Sequence, residues 1–258
     1  MELLVCVKQV PDDSVTVVLE NNAPKLDGIT PVVNAFDTYA LEMAARFKEE
    51  HGGEVTVLTV GGEETVPSLR SCLAVGANHA VRLDETAACD SLGMAHLLAK
   101  AAGKAGKFDV IFCGVESTDG AYGIVGAQLA ETLGLPLVTN VLGLEPVEGG
   151  VSVKQETEEG YRIVETPCPC VVTTVKPGYE PRYPSIKSKM AARKMPIAGL
   201  TAADVGAEAS AYGPDAAKVR QTALAAPPKR QSGVKIQEKE AAVAVSRAIE
   251  MLAGQKLV

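Results

Sequence analysis

The sequence predicts an α/β fold with a doubly wound, mostly parallel sheet, an antiparallel addition to that sheet and an extended C-terminal arm. Up to Leu142, short apolar runs alternate with amphipathic helical segments, as in βαβ units. These runs are continuous rather than alternating, which is typical of strands buried on both faces. From Leu142 the pattern changes to alternating strands joined by Gly-containing turns. After Gly199 it becomes rich in Ala, Gly and Pro.

The composition limits both the core and the partners. A chain of 258 residues has room for one large domain, or for a domain with a substantial extension. Because 47% of the residues are hydrophobic but only 4% are aromatic, the core must consist of Val, Leu, Ile and Ala. The formal net charge of -7 argues against a nucleic-acid partner.

The sequence carries no recognisable signal peptide, and no apolar run approaches the ~18 residues of a membrane span. We therefore expect a soluble, cytoplasmic protein without membrane insertion. Six cysteines lie mostly inside apolar runs and form no CxxC pair, which favours buried free thiols over disulfides or zinc ligands. The three histidines have no motif-like neighbours, so no metal site is expected.

Four buried strands are predicted in the first part of the chain, at Glu2–Lys8, Glu54–Val60, His79–Leu83 and Val110–Cys113. Helices are predicted between them, beginning at Asn34, after the Gly61-Gly62 turn and at Asp90. Pro11 ends the first strand because proline cannot continue a central ladder. The stretch from Val15 to Pro24, with Asn21 and Asn22 at its turn, suggests a small hairpin excursion.

The helix after Asn34 is predicted from its start signal. Asn34 suits an N-cap, and Asp37 three residues later is placed to bond to free N–H groups of the first turn. An apolar stripe including Ala40 and Phe47 follows, while Glu42 is predicted on the polar face. This helix either only packs on the sheet or points its N-terminus at a ligand.

The strand ending at Cys113 is followed by a polar, glycine-punctuated loop and then by a helix that ends at Gly134. A strand, loop and helix in this order aim backbone N–H groups and the positive end of a helix at one point, which suits a phosphate. The glycines match neither GxGxxG nor the Walker pattern, so a plain connecting loop is the alternative.

Ligands of doubly wound sheets bind beyond the carboxyl ends of the strands. The loops after Val7, Val60 and Cys113 are therefore expected to converge with the helix start at Asn34.

The second part of the chain is predicted to differ in architecture. Strands at Val151–Lys154, Tyr161–Val164 and Cys170–Val175 are interpreted as the antiparallel addition. A loop then runs into a basic helix within residues 177–197, and an extended connector spans Gly199–Gln237. A last helix, about Lys239–Ala253, carries an apolar stripe that either folds back on its own domain or docks on another chain.

Six separated pieces carry a resemblance to a known family: Cys6–Asp12, Asn34–Glu42, Leu69–Ala77, the loop from Gly114 onward, Glu180–Ile186 and Met190–Lys194. In this order they resemble the β subunit of electron-transfer flavoprotein over nearly the whole chain. The resemblance implies an adenine-nucleotide α-hydrolase-like fold. It also implies an electron carrier that is not itself an enzyme, because the redox work belongs to the flavin.

The resemblance also implies cofactors and partners. A larger α subunit would hold most of the FAD, while this chain would bind AMP, or a second FAD if it bifurcates electrons. The heterodimer would accept electrons from flavin dehydrogenases, such as acyl-CoA dehydrogenases, and pass them to a downstream acceptor. Residues 1–198 would form the nucleotide-binding domain, and residues 199–258 a connector and helix that dock on the α subunit.

No catalytic residue is implied. The residues expected to contact the nucleotide are Cys6, Lys8, Asn34, Ala35, Phe36, Asp37, Val60, Gly114, Val115, Glu116, Ser117, Thr118, Asp119, Gly120, Ala121, Tyr122, Gly123, Ile124 and Val125. Segment 177–197 corresponds to the family's recognition segment, which anchors dehydrogenases through an inserted apolar side chain. Ile186, flanked by Tyr183 and Met190, is expected to supply that anchor.

Two positions depart from the family pattern. Ala35 stands where many relatives have Pro. The loop reads Ser117-Thr-Asp-Gly-Ala121 and lacks the second carboxylate of bifurcating relatives, which favours AMP. An ATP-using enzyme is an alternative that would need a Ser-Gly-Gly-x-Asp-Ser loop, which the sequence lacks. A stand-alone adenine-nucleotide-binding protein is another.

Overall fold

A computed structural model describes residues 1–20, 23–226, 228 and 232–257. The strands are β1 (Glu2–Cys6), β2 (Gln9–Pro11), β3 (Val18–Glu20), β4 (Ala23–Lys25), β5 (Pro31–Val33), β6 (Glu54–Val60), β7 (His79–Asp84), β8 (Val110–Gly114), β9 (Leu137–Val147), β10 (Gly150–Thr157), β11 (Gly160–Pro167), β12 (Cys170–Thr174) and β13 (Ala198–Thr201). The helices are α1 (Ala35–His51), α2 (Val66–Ala74), α3 (Ser91–Ala105), α4 (Val125–Leu133), α5 (Ile186–Ala192), α6 (Ala209–Tyr212) and α7 (Ala241–Gly254).

Nine strands form one large sheet in the order β11-β10-β9-β12-β8-β1-β6-β7-β13. The ladders from β9 through to β13 are all parallel. Only β10 and β11 run antiparallel to their neighbours at one edge. The predicted fold class, a mostly parallel sheet with an antiparallel addition, is confirmed.

The sheet is covered on both faces. Leu3 and Val5 of β1 join the core cluster under α1 and α2, while Leu4 between them joins the cluster under α3 and α4. Successive side chains of a strand point to opposite faces, so a strand covered on both faces needs an apolar residue at every position. This is why the strand predicted from a continuous apolar run lies at the centre of the sheet, with these three side chains fully buried.

The prediction that Cys170–Val175 belongs to the antiparallel addition is wrong. Residues Cys170–Thr174 form β12, which lies inside the sheet and pairs in parallel with both β8 and β9. All five of its residues are buried, as expected for a strand covered on both faces. The alternating pattern of the two preceding strands reflects a local hairpin. The pairing of β12 is decided instead by strands that are distant in the chain.

The excursion after β2 is a hairpin, as predicted. β3 and β4 pair antiparallel, and β2 pairs antiparallel with β5, which returns the chain to the start of α1. Its predicted turn residues Asn21 and Asn22 lie outside the described residues.

The extended connector predicted from Gly199 is wrong for its first part. β13 adds to the edge of the large sheet beside β7, and α6 buries Tyr212 against α3. Farther on, α7 has no buried residue among those that the structure describes, and its apolar side chains Val245 and Ile249 are exposed.

The cysteines are free, as predicted, and four of them, Cys6, Cys72, Cys113 and Cys170, are buried. None of the helices in the described ranges is long and apolar enough to cross a membrane.

Candidate functional site

Asp37, in the first turn of α1, joins that helix to the ends of two strands. Its Oδ2 atom accepts a hydrogen bond from the Lys8 backbone N–H at 2.7 Å, and its Oδ1 atom accepts one from the Gly114 N–H at 3.1 Å. Lys8 lies beyond β1, and Gly114 lies past the last residue pair of the β1–β8 ladder, so both N–H groups need another partner. The predicted capping role of Asp37 is therefore wrong, because its carboxylate is already used by the strands.

Asn34 occupies the N-cap position of α1, but its side chain makes no capping hydrogen bond. Instead, Nδ2 donates to the Glu116 carbonyl at 2.8 Å and Oδ1 accepts from the Thr118 N–H at 3.1 Å. The predicted side-chain cap is wrong, because this buried amide is engaged by the loop after β8. Asn34 thus fixes that loop against the start of α1.

Gly114 permits this close approach. A Cβ atom at this position would lie 2.4 Å from Asp37 Oδ1 and 2.7 Å from Phe36 Cβ. Any other residue would push α1 away from the end of β8. A second close contact occurs where a Cβ at Gly126, in α4, would lie 2.5 Å from Thr173 Cγ2. Both helices are therefore held tightly at the carboxyl edge of the sheet.

The tip of the loop is tied down by an ion pair. Lys8 Nζ lies 2.7 Å from both carboxylate oxygens of Asp119 and 3.5 Å from the Ser117 hydroxyl. Burial alone would raise the pKa of Asp119, but the hydrogen bonds from Lys8 and Ser117 outweigh it and leave the pKa below its usual value. The loop turns through left-handed backbone at Ala121 (φ 51°) and Gly123 (φ 62°).

Two helix N-termini at this edge lack side-chain caps. No described side chain caps α1 at Asn34 or α4 at Ile124. Their first-turn N–H groups carry the positive end of each helix dipole, a favourable environment for an anion. Lys8, which is paired with Asp119, places an ammonium group at the same edge, and together with the helix N-termini it suits a phosphate.

Two groups here have raised pKa values. Burial raises the pKa of Asp37 to about 7, although hydrogen bonds from Lys8, Asn34 and Gly114 oppose the change. The pKa of the Cys6 thiol is raised by its hydrogen bond with Cys113 and by burial. Cys6 is therefore a neutral, unreactive thiol, buried at the end of β1.

Side-chain hydrogen bonds connect several of the predicted contact residues. They link Lys8, Asn34 and Asp37 with the loop, and Ala35 and Phe36 lie between the last two. Val60 lies at the same edge because β6 pairs directly with β1. No described hydrogen bond links Val60 to the loop.

Two threonines at this edge were not predicted. The Thr59 hydroxyl donates to the Val7 carbonyl at 2.8 Å. The Thr174 hydroxyl donates to the carbonyls of Cys113 and Phe36, at 3.3 and 3.4 Å. Both follow buried apolar runs, and a hydroxyl at the carboxyl end of a central strand is the signal that indicates them.

The predicted docking residues lie on a separate surface at α5. Tyr183, Ile186 and Met190 are 96%, 81% and 60% exposed. The same segment carries four exposed basic residues: Lys187, Lys189, Arg193 and Lys194. This segment therefore exposes both apolar and basic side chains.

A cleft of about 650 Å³ opens between α1, α2 and residues 180–184. Its lining includes the buried residues Leu41 and Cys72 and the exposed Tyr183. None of the predicted nucleotide contacts lines it. The predicted nucleotide residues lie instead at the carboxyl edge of the sheet, where residues 119–124 of the loop are exposed.

Comparison with known proteins identifies the family of this chain. A family model described as the electron transfer flavoprotein domain matches residues 27–205. Electron transfer flavoprotein subunit beta of Megasphaera elsdenii is 33% identical over 100% of both chains. The protein of the same name from Bacillus subtilis is 32% identical over 92% of this chain and 90% of its own length. Caffeyl-CoA reductase-Etf complex subunit CarD of Acetobacterium woodii is 33% identical over 90% of each chain. This chain therefore belongs to the electron transfer flavoprotein family, as a β subunit.

Proposed function

We propose that this chain pairs with a larger α subunit and carries electrons between flavin dehydrogenases, such as acyl-CoA dehydrogenases, and a downstream acceptor. The observation that carries the proposal is the carboxyl edge of the sheet, where α1 and α4 begin without side-chain caps and where Lys8 also lies. These groups suit the binding of a phosphate rather than bond-making chemistry. The chain would then act as a carrier and not as an enzyme.

FAD, held mainly by the α subunit, would supply the redox chemistry by accepting and passing on electrons. The residues of this chain would orient and cover it. We further propose AMP as the nucleotide at the carboxyl edge of the sheet. Its phosphate would meet the N–H groups at the starts of α1 and α4, together with Lys8. The half-buried Val60, at the same edge as the buried thiol of Cys6, would offer an apolar surface to the rest of the nucleotide.

A second FAD in place of AMP is the alternative, with electron bifurcation as its consequence. The similarity to CarD, named as a subunit of a Caffeyl-CoA reductase-Etf complex, favours this alternative. Ala121 favours AMP, because a bifurcating relative would have a carboxylate there. A stand-alone adenine-nucleotide-binding protein is less compatible with α7, whose apolar side chains are exposed.

Two further surfaces complete the proposal. Residues 199–258 would dock on the α subunit through α7, which buries no described residue on its own chain. Segment 177–197 would contact the dehydrogenase by inserting Ile186 into an apolar pocket. The cytoplasmic location expected from the sequence stays a prediction.

Co-expression with the α partner tests the proposal. The purified heterodimer is denatured, and the FAD and AMP released per heterodimer are measured. One FAD and one AMP are expected. Two FAD without AMP would establish the bifurcating alternative. A colourless preparation without a stable complex, or tight AMP binding by a monodisperse monomer, would refute the carrier role.

A further inference from the structure

The helix α5 has very little apolar support. Of its seven residues, only Ala192 is buried. Isolated helices shorter than about 12 residues are marginal in water, so packing or polar contacts must hold a helix of this length. The hydrogen bonds on either side of α5 identify what holds it.

Before α5, Arg182 attaches the chain to α1 by two carboxylates. Its Nε atom donates to Glu42 Oε2 at 2.8 Å, and its backbone N–H donates to the same oxygen at 3.1 Å. The guanidinium also bonds to both oxygens of Glu49, with Nη2 at 2.9 Å from Oε2. Glu42 was predicted on the polar face of α1, but its side chain is only 2% exposed. The prediction is wrong because segment 177–197 covers that face.

Arg46 extends this network. Its Nε atom donates to Glu42 Oε1 at 2.6 Å, and its guanidinium lies 4.0 Å from the ring centre of Tyr179. Burial would raise the pKa of Glu42, but hydrogen bonds from Arg182 and Arg46 outweigh it and keep the pKa below its usual value. The Glu42 carboxylate is therefore a charged anchor, and residues 179–182 are fixed to it by two guanidinium groups.

After α5, Arg70 of α2 holds the other end. Its Nη1 atom donates to the Ala192 carbonyl at 2.6 Å and also bonds to the Met195 carbonyl. Carbonyl groups at a helix C-terminus lack intrahelical donors and carry the negative end of the dipole, so a cation is favourable there. Arg182 thus ties the chain before α5 to α1, and Arg70 ties the chain at the end of α5 to α2.

We infer that Arg182 and Arg70 are positioning residues that hold α5 ordered before a partner arrives. They would fix the exposed side chains of Tyr183, Ile186 and Met190 in one arrangement. Binding would then avoid the entropic cost of ordering this segment. The inference rests on the proposed function, because it requires α5 to be the surface that docks on the dehydrogenase.

Arg182→Gln in the full chain, co-expressed with the α partner, tests the inference with two independent readouts. The first is limited trypsin digestion, because Lys187, Lys189, Arg193 and Lys194 offer cleavage sites only when the segment loosens. The second is electron transfer from a reduced acyl-CoA dehydrogenase. If the ordered form drops to about a tenth of the molecules, KM for the dehydrogenase rises about tenfold while kcat changes less than about twofold.

Control variants separate the effect of losing the Arg182 contacts from the effect of losing a positive charge. Lys104→Gln removes one exposed positive charge from α3, on the opposite face of the sheet, and should change neither readout. Arg182→Lys keeps the charge but loses the planar fork, so an intermediate effect is expected. Arg70→Gln should loosen the segment from its other end. If Arg182→Gln does not fold, Arg182→Lys and Glu49→Gln carry the test.

Two results would overturn the inference. Unchanged cleavage in both Arg182→Gln and Arg70→Gln would mean that these arginines do not hold α5. Faster cleavage with an unchanged KM would mean that they hold a segment that does not dock, which refutes the docking assignment and leaves the nucleotide proposal intact.

Discussion

Lys8 and Asp119 are 111 positions apart in the chain, yet Lys8 Nζ lies 2.7 Å from both carboxylate oxygens of Asp119. The pair joins the end of β1 to the tip of the loop after β8. The side chains are 52% and 30% exposed, so the ion pair itself contributes only about 0 to 1 kcal/mol to the free energy of unfolding. Its importance lies in where it places a positive charge, beside the proposed phosphate site.

Lys8→Ala should therefore reduce nucleotide binding with little change in stability. We expect the purified heterodimer to retain clearly less than one AMP, with urea unfolding shifted by less than about 1 kcal/mol. Lys25→Ala is the matched control, because it breaks a comparable exposed ion pair with Glu20 on the β3–β4 hairpin. An AMP content equal to that of the wild type would exclude Lys8 from the site.

Asn34→Ala should loosen the loop after β8. It removes two hydrogen bonds and leaves the Thr118 N–H and the Glu116 carbonyl unpaired, at a cost of about 1 to 3 kcal/mol in the free energy of unfolding. We also expect AMP to be lost. Asn78→Ala is the control, since Asn78 bonds to Val55 and Lys48 away from this edge. Equal loss of AMP in both variants would argue against a specific role for Asn34.

Asp37 should make stability dependent on pH. Its pKa is about 7 in the folded chain and 3.8 as a reference value, so between these values the folded state binds the extra proton. Stability from this group is full below about pH 4 and falls as pH rises through about 7, by at most about 1.4 kcal/mol per pH unit.

The measurement compares the wild type with Asp37→Asn by urea unfolding from pH 4 to 8. The variant carries a constant penalty, because an amide oxygen accepts from only one of the two N–H groups well. The wild-type advantage in unfolding free energy should shrink as pH rises and level off above about 7. A difference that is flat across this range would contradict the burial of an Asp37 carboxylate with a raised pKa.

Ile186→Ala should slow electron transfer from the dehydrogenase without removing flavin. Ile186 is 81% exposed, so its truncation should change stability by less than about 0.5 kcal/mol. We expect a higher KM for the dehydrogenase in steady-state transfer assays. Ile163→Ala on β11, where the side chain is 60% exposed, is the matched control. Unchanged transfer by the Ile186 variant would remove α5 as the docking surface.

The central strands could be predicted from the sequence because burial on both faces leaves a continuous apolar run, as in β1 and β8. The end of a helix could also be predicted from the sequence. Gly134 takes the left-handed conformation after α4 that its position predicts, with φ 65°. The convergence at the sheet edge followed from the same pattern, because parallel strands bring their carboxyl ends to one side.

Hydrogen-bond partners far apart in the chain could not be predicted in this way. Asn34 and Asp37 were expected to cap their own helix, but Asp37 bonds to Gly114, 77 positions away. Glu42 was expected to face water and bonds to Arg182, 140 positions away. The place of β12 at the centre of the sheet has the same origin.

The sequence by itself determined the period of each element, the faces that are buried and the edge where loops meet. Only the tertiary structure decided which polar groups meet there, because a buried donor or acceptor must find its partner wherever folding brings one. The local sequence shows that Asp37 and Glu42 are polar groups that need hydrogen-bond partners. Those partners come from strands and loops that are distant in the chain.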